Sequence, residues 1–246
     1  MQVVVNERFL SQRARLSRWA TYGGVALLVV AYLPFVLQLI GQDISNWADP
    51  VIVSYGTMLF LFAGFIAYST GQMNKVRWTV RPREEEILVN ALQGFDHRYK
   101  LLNYMPQTPG VYHVLLGPAG VYVIHVRRQD GEIVNHGDKW QQKGGLLGTL
   151  RSLFTGSFGN PTQDAQRETQ AVRKVIAAQF AEEDLDQLTI QPLIVFIDTR
   201  AKLTLSEPAV PAMMTRELKD FMRKQRRESR LNGNQLQKIA AAYGLA

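Results

Sequence analysis

Two long stretches without a charged side chain constrain this chain more than anything else in it. Trp19 to Gln42 is one, of 24 residues, and Pro50 to Asn74 is the other, of 25. At about 1.5 Å rise per residue, a helix over either one exceeds the roughly 30 Å hydrocarbon core of a bilayer. The overall hydrophobic fraction, 46%, is ordinary, so the signal lies in the distribution of apolar residues and not in their amount. A secretory signal followed by a buried core helix is the competing arrangement. It fits poorly, because the first run is longer than a secretory apolar region and no small-residue cleavage site follows it.

The flanks predict an orientation. Arg8, Arg13, Arg15 and Arg18 precede the first stretch, and Lys75, Arg77, Arg81 and Arg83 follow the second. The segment between them carries Asp43 and Asp49 and no Lys or Arg. Basic residues are retained on the cytoplasmic side, so both termini are expected inside and the short loop outside. Trp19, Trp47 and Trp78 are expected at the interfaces, and Pro34 predicts a kink. The polar residues at depth, Tyr32, Gln38, Ser54, Thr57 and Ser69, include no carboxylate or amine, which points to an anchor rather than an ion or proton path. The chain is thus divided into a basic N-terminus (1–18), two spans (19–42 and 50–74) joined by a short external loop (43–49), a soluble domain (75–205) and basic C-terminal helices (206–246). The lack of organelle-targeting features suggests a prokaryotic plasma membrane.

With no cysteine, disulfides, thiolate nucleophiles and cysteine zinc sites are excluded. The net charge of +7 is uneven. Arg216, Lys219, Arg223, Lys224, Arg226, Arg227 and Arg230 crowd one segment, a basic helix face suited to nucleic acid or anionic lipid, or simply to solvent beside a negative membrane.

Within the soluble part, Glu84, Glu85 and Glu86 open a helix whose apolar face is Ile87, Leu88, Ala91 and Leu92. Val111–Leu116 and Val121–Arg127 flank Gly117-Pro118-Ala119-Gly120 and read as a β-hairpin. Pairing Leu116 with Val121 sets Tyr112 opposite His125, with Arg127 on the same face. Gly131-Glu132-Ile133 continues to Trp140 through a further turn and strand. Residues 141–159 alternate glycine with Leu and Phe, as a lid over the domain or a segment dipping into the bilayer interface. Asn160-Pro161 starts a helix to about residue 181, and Leu193 to Ile197 forms a buried central strand. A basic helix and a last short helix after Asn232-Gly233-Asn234 complete a mixed α/β domain.

The run from Val111 to Arg127 resembles the core hairpin of the NERD (nuclease-related) domain. So do the acidic helix at Glu85, Gly131-Glu132-Ile133 with Trp140, Asn160-Pro161-Thr162-Gln163 opening a helix, and the Val195-Phe196 strand. The resemblance implies a restriction-endonuclease-like mixed sheet flanked by helices, preceded here by the transmembrane helical hairpin. It also implies a site in which an Asp on one hairpin strand and a Glu-x-Lys on the next hold a divalent metal that activates water. At those positions this chain carries Tyr112 (followed by His113), His125 and Arg127, with Glu85 (or Glu84 or Glu86 in a shifted register) and Gln163 remaining. Arginine stays protonated and cannot serve as a general base. The expectation is a vestigial cleft of Glu85, Tyr112, His125, Arg127 and Gln163, catalytically inactive and without metal or other cofactor, able to hold a phosphate or stack a base. The expected partners are the lipid bilayer, nucleic acid or another protein. The alternatives are an active metal-dependent nuclease with displaced ligands, a softer metal on His113 or His125, a structural membrane protein whose basic helix lies on lipid, and a hairpin face of simply packed polar residues.

Overall fold

The computed structural model describes residues 1–42, 49–143, 158–180, 188–225 and 231–245. Asp43 and Trp47 of the expected external loop, residues 144–157 of the glycine–leucine segment, and Arg226, Arg227 and Arg230 lie outside the described residues. The chain forms two compact units: residues 7–83, and a second built from residues 1–6 together with 84–246.

The first unit is two antiparallel helices, α1 (Glu7–Leu39) and α2 (Pro50–Trp78). Both contain a window of mean hydropathy 1.9, long and apolar enough to cross a membrane. Both overrun the uncharged stretches, and α1 continues through Pro34. The residues they bury recur every seven positions: Leu10, Ser17, Gly24 and Ala31 on α1, Gly64, Gly71 and Trp78 on α2. A strict seven-residue repeat keeps one seam facing the partner in a left-handed pair. Small residues on that seam let the backbones approach. A Cβ on Gly24 would meet the Tyr68 amide nitrogen at 2.4 Å, and one on Gly71 would meet Thr21 Oγ1 at 2.4 Å. The Ser17 hydroxyl donates to the Gly71 carbonyl at 2.9 Å across the seam, and the Thr21 hydroxyl donates to the Ser17 carbonyl at 3.0 Å within α1. Trp19 is 72% exposed, as an interfacial indole would be, but Trp78 is only 5% exposed and packs edge-on against Phe9.

The second unit is the expected mixed α/β domain. Its main sheet runs β1 (Gln2–Val5), β2 (Lys100–Asn103), β3 (His113–Gly117), β4 (Gly120–Arg127), β7 (Ile190–Phe196), β9 (Ala212–Met214) in spatial order. A smaller sheet orders β6 (Lys139–Lys143), β5 (Gly131–His136) and β8 (Ala201–Ser206). β2, β3 and β4 are antiparallel neighbours, whereas β1 joins β2, β7 joins β4 and β9 joins β7 in parallel. The hairpin register is the expected one, with Leu116 opposite Val121 and Gly117 opposite Gly120 across Pro118-Ala119. Gly120 is fixed as glycine by φ +142 and by the Thr189 carbonyl, which a Cβ would approach to 2.7 Å.

β4 reads as a near-continuous apolar run because both of its faces are covered. On one face, α3 (Glu84–Ala91) and α5 (Thr215–Gln225) pack Leu88, Leu92, Leu218 and Met222 on Leu101, Leu115, Tyr122, Ile124, Leu193 and Val195. On the other, α4 (Pro161–Ala177) and α6 (Gly233–Ala242) bring Val172, Ile176 and Ile239, with Tyr243 just after α6, onto Leu102, Val114, Leu116, Val121 and Val123. α4 starts where Asn160 accepts from the Thr162 and Gln163 amides with Pro161 in the first turn, and α6 starts in an Asn232–Gln235 capping box. Residues 2–5, expected as part of a basic tail, are instead the edge strand of this sheet, and the segment after 205 supplies β9, α5 and α6.

Candidate functional site

The period-two alternation of β4 sends Tyr122, Ile124 and Val126 to the α3 side, and Val121, Val123, His125 and Arg127 to the α4 side. α4 meets them with Asp164 and Glu168, one helical turn apart on its inward side. His125 Nδ1 lies 2.8 Å from Glu168 Oε1, and its Nε2 lies 3.5 Å from Arg127 Nη1. A guanidinium only donates, so Nε2 is the acceptor; the ring proton then sits on Nδ1 and is given to Glu168. Arg127 also lies 3.8 Å from Asp164, donates to the Phe158 carbonyl, and sits 4.9 Å from the Phe158 ring centroid. Trp140 closes the neighbouring wall, its indole donating to the Thr162 hydroxyl at 2.8 Å. The side chains of His125, Glu168 and Arg127 are 14%, 16% and 11% exposed, so the cluster is open to solvent along one side.

A second polar cluster occupies the α3 side. Asn103 donates to the Val4 carbonyl at 3.1 Å, which fixes its amide so that Oδ1 accepts from His113 Nδ1 at 2.8 Å. His113 Nε2 then faces Glu84 Oε2 at 3.3 Å, a contact that needs one proton between the two atoms. Arg128 Nε donates to the other Glu84 oxygen at 2.9 Å. Beside this pair the Tyr104 hydroxyl donates to Glu85 at 2.6 Å. Tyr104 is held at φ +60, uncommon for a side-chain-bearing residue, with its amide on the Tyr112 carbonyl and its own carbonyl on Asn6. Glu84, Glu85 and His113 are 1–3% exposed.

Of the residues singled out from sequence, His125 and Arg127 are brought together. Glu85 is instead bonded to Tyr104, whose ring stands 5.9 Å from that of Tyr112, just before β3. Gln163 is exposed in the first turn of α4. On α5 the basic residues Arg216, Arg223 and Lys224 point to solvent, each arginine beside one acid, Glu217 or Asp220, while Lys219 is half-buried. Sequence reasoning missed Asp164 and Glu168, although their four-residue spacing beside the inward Ala165 and Val172 was a usable signal. It also left Tyr104 and Arg128 aside, and nothing local marks either of them.

A hard divalent cation wants several carboxylate oxygens. On the α4 side the two available carboxylates already face an imidazole and a guanidinium, and a cation there would sit against the fixed charge of Arg127. Among the described residues no group of three or more His, Asp or Glu is disposed around a common point. His125 and Arg127, which the resemblance puts at the metal-binding positions, offer an imidazole and a guanidinium and no oxygen ligand. Residues 82–197 match the family model described as the nuclease-related domain, NERD. No curated protein and no solved structure matches the chain.

Proposed function

Starting from the nuclease-related domain that residues 82–197 form, we propose that this protein is a membrane-tethered and catalytically inactive member of that domain class. It serves as a nucleic-acid-binding or scaffolding module at the cytoplasmic membrane face. The observation that carries this reading is the exchange of metal chemistry for internal polar contacts: where the resemblance places Glu-x-Lys stand His125, hydrogen-bonded to Glu168, and Arg127, paired with Asp164.

Tethering is supported by what the two long helices leave outside. Only 11% and 6% of their most apolar windows are buried, so they do not have the environment of core helices in a soluble protein. Phe35, Leu39, Ile52, Tyr55 and Leu59 are each more than half exposed. The edge strand adds a topological constraint. Because β1 precedes α1 and pairs with β2, the chain leaves one body at residue 6 and returns to it at residue 84. The number of membrane crossings between is therefore even, and the helices cross together or not at all. The basic flanks put the domain on the cytoplasmic side. Polyanion contact falls to the cations of α5 because they are open to solvent, with the side chains of Arg216 and Arg223 77% and 62% exposed against 11% for Arg127.

The test uses the full chain in detergent with DNA or RNA and magnesium or manganese. No cleavage is expected. Binding is expected to weaken steeply with salt, and the triple change Arg216→Ser, Arg223→Ser, Lys224→Ser is expected to lower low-salt affinity by roughly tenfold. Chelator-sensitive cleavage that is absent from a Glu84→Gln, Glu85→Gln or Asp164→Asn variant establishes an active nuclease with displaced ligands instead. Absence of binding at low salt removes nucleic acid and leaves scaffolding or lipid contact.

A further inference from the structure

We propose that the basic end of the helical hairpin is a binding site for an anionic phospholipid headgroup, built by Arg13 and Arg77 on the Phe9–Trp78 aromatic pair. The inference rests on the reading that α1 and α2 span a membrane.

The antiparallel pairing brings the first turns of α1 to the last turn of α2. There Phe9 and Trp78 meet edge to face, with ring centroids 5.6 Å apart and an interplanar angle of 82°. The Arg13 guanidinium stands 5.1 Å from the Phe9 centroid and 6.0 Å from that of Trp78, and the Arg77 guanidinium 4.9 Å from Trp78. Two cations are thereby gathered on one aromatic platform. The indole is itself fixed, its N–H on Asn74 at 3.3 Å. A lone arginine at a membrane surface must order a long side chain before it can hold a phosphate; cation–π contact meets part of that cost in advance.

Depth and charge select the ligand. Arg13 lies six residues before Trp19, about 9 Å along the helix, and Trp78 lies four residues after Asn74, about 6 Å. A headgroup layer is about 5–8 Å thick on each side of the hydrocarbon core, and an arginine stem spans the remainder. Phosphodiester oxygens sit at that level, and the planar guanidinium fork matches them in a bidentate contact. The same end of the hairpin also holds Arg8, Arg15, Arg18, Lys75 and Arg81. A zwitterionic headgroup brings its own cation into that field and is disfavoured; an anionic one is not.

The experiment places the full chain in micelles holding phosphatidylglycerol and phosphatidylcholine in equal amounts and counts retained lipids by native mass spectrometry. Wild type is expected to retain phosphatidylglycerol over phosphatidylcholine by roughly thirtyfold, the scale of two basic residues at a membrane surface. Arg13→Gln/Arg77→Gln is expected to abolish the preference, while Arg8→Gln/Arg15→Gln, with the same loss of charge and the platform intact, keeps most of it. Phe9→Leu preserves every charge and is expected to lower the preference severalfold, which keeps the test decisive should the double variant not fold. The proposal is overturned if wild type shows no preference, if both double variants lose it equally, or if excess inorganic phosphate displaces the lipid. Flotation with phosphatidylcholine vesicles separates the two levels: failure to float sinks the membrane reading, whereas flotation without a phosphatidylglycerol preference sinks the headgroup site alone.

Discussion

The two polar clusters of the domain sit on opposite faces of one sheet and are organised differently. On the α3 side Glu84, Glu85 and His113 are almost wholly buried, and the network reaches β1 through Asn103 and Asn6. On the α4 side His125, Arg127, Asp164 and Glu168 keep between 11% and 34% of their side chains in solvent, and their acids come from a single helix. A buried ion network cannot lose a member cheaply, because each partner left behind is a desolvated charge. A half-open one can, because water replaces the missing partner. The contrast predicts that substitutions are tolerated at His125, Arg127, Asp164 and Glu168 and costly at Glu84 and His113.

The largest expected effect tests the closed side. Glu84→Ala strands His113 and leaves Arg128 to find water, and is expected to cost about 4 kcal/mol of domain stability. Denaturant unfolding of the full chain measures it. A loss below about 1 kcal/mol would show that the α3 cluster is as forgiving as the α4 one, and the contrast would collapse.

The next effect asks whether the α4 face is loose throughout or only at its polar end. Burial pushes the Tyr243 phenol up to about 12 from its ordinary 10.0, the Thr108 hydroxyl offsetting part of the rise. An acid whose folded value is raised keeps its full contribution below the unfolded value and loses it as pH climbs through the folded one. Stability is therefore expected to fall by about 2–3 kcal/mol between pH 10 and 12, with Tyr243→Phe removing this component. An identical alkaline profile in Tyr243→Phe would mean that water reaches the phenol and that the looseness extends down the face.

Glu168→Ala comes third, at about 1 kcal/mol, since His125 is partly hydrated and regains water as a partner. A cost near that of Glu84→Ala would mark the α4 cluster as a buried network after all.

What the sequence makes legible follows the range of the interactions involved. The hairpin α1–α2 shows in uncharged length alone, and the β3–β4 register shows because Gly117-Pro118-Ala119-Gly120 leaves one two-residue turn. Both are local. β1 is not legible: Gln2-Val3-Val4-Val5 precedes a basic helix, and its partner strand lies 98 residues away, so only the folded sheet explains it. The site divides in the same way. That His125 and Arg127 share a face follows from alternation, but the engagement of Arg127 by Asp164 depends on how α4 lies across β4. Without those acids the same residues read as a bare cationic surface, which is why a phosphate-holding cleft is the sequence-based expectation.

The smallest expected effect bears most directly on function. Asp164→Asn removes the acid 3.8 Å from Arg127 and is expected to shift stability by no more than about 0.5 kcal/mol, because Asp164 is one-third exposed. If polyanions are met by Arg216, Arg223 and Lys224 on α5, nucleic-acid affinity stays within about twofold of wild type and the salt dependence keeps its slope. If Arg127 is itself a phosphate contact restrained by Asp164, the neutral variant binds several times more tightly, with a slope steeper by about one. Salt titrations of Asp164→Asn beside the α5 triple variant distinguish the two, since loss confined to α5 and gain confined to Asp164 cannot arise from the same surface.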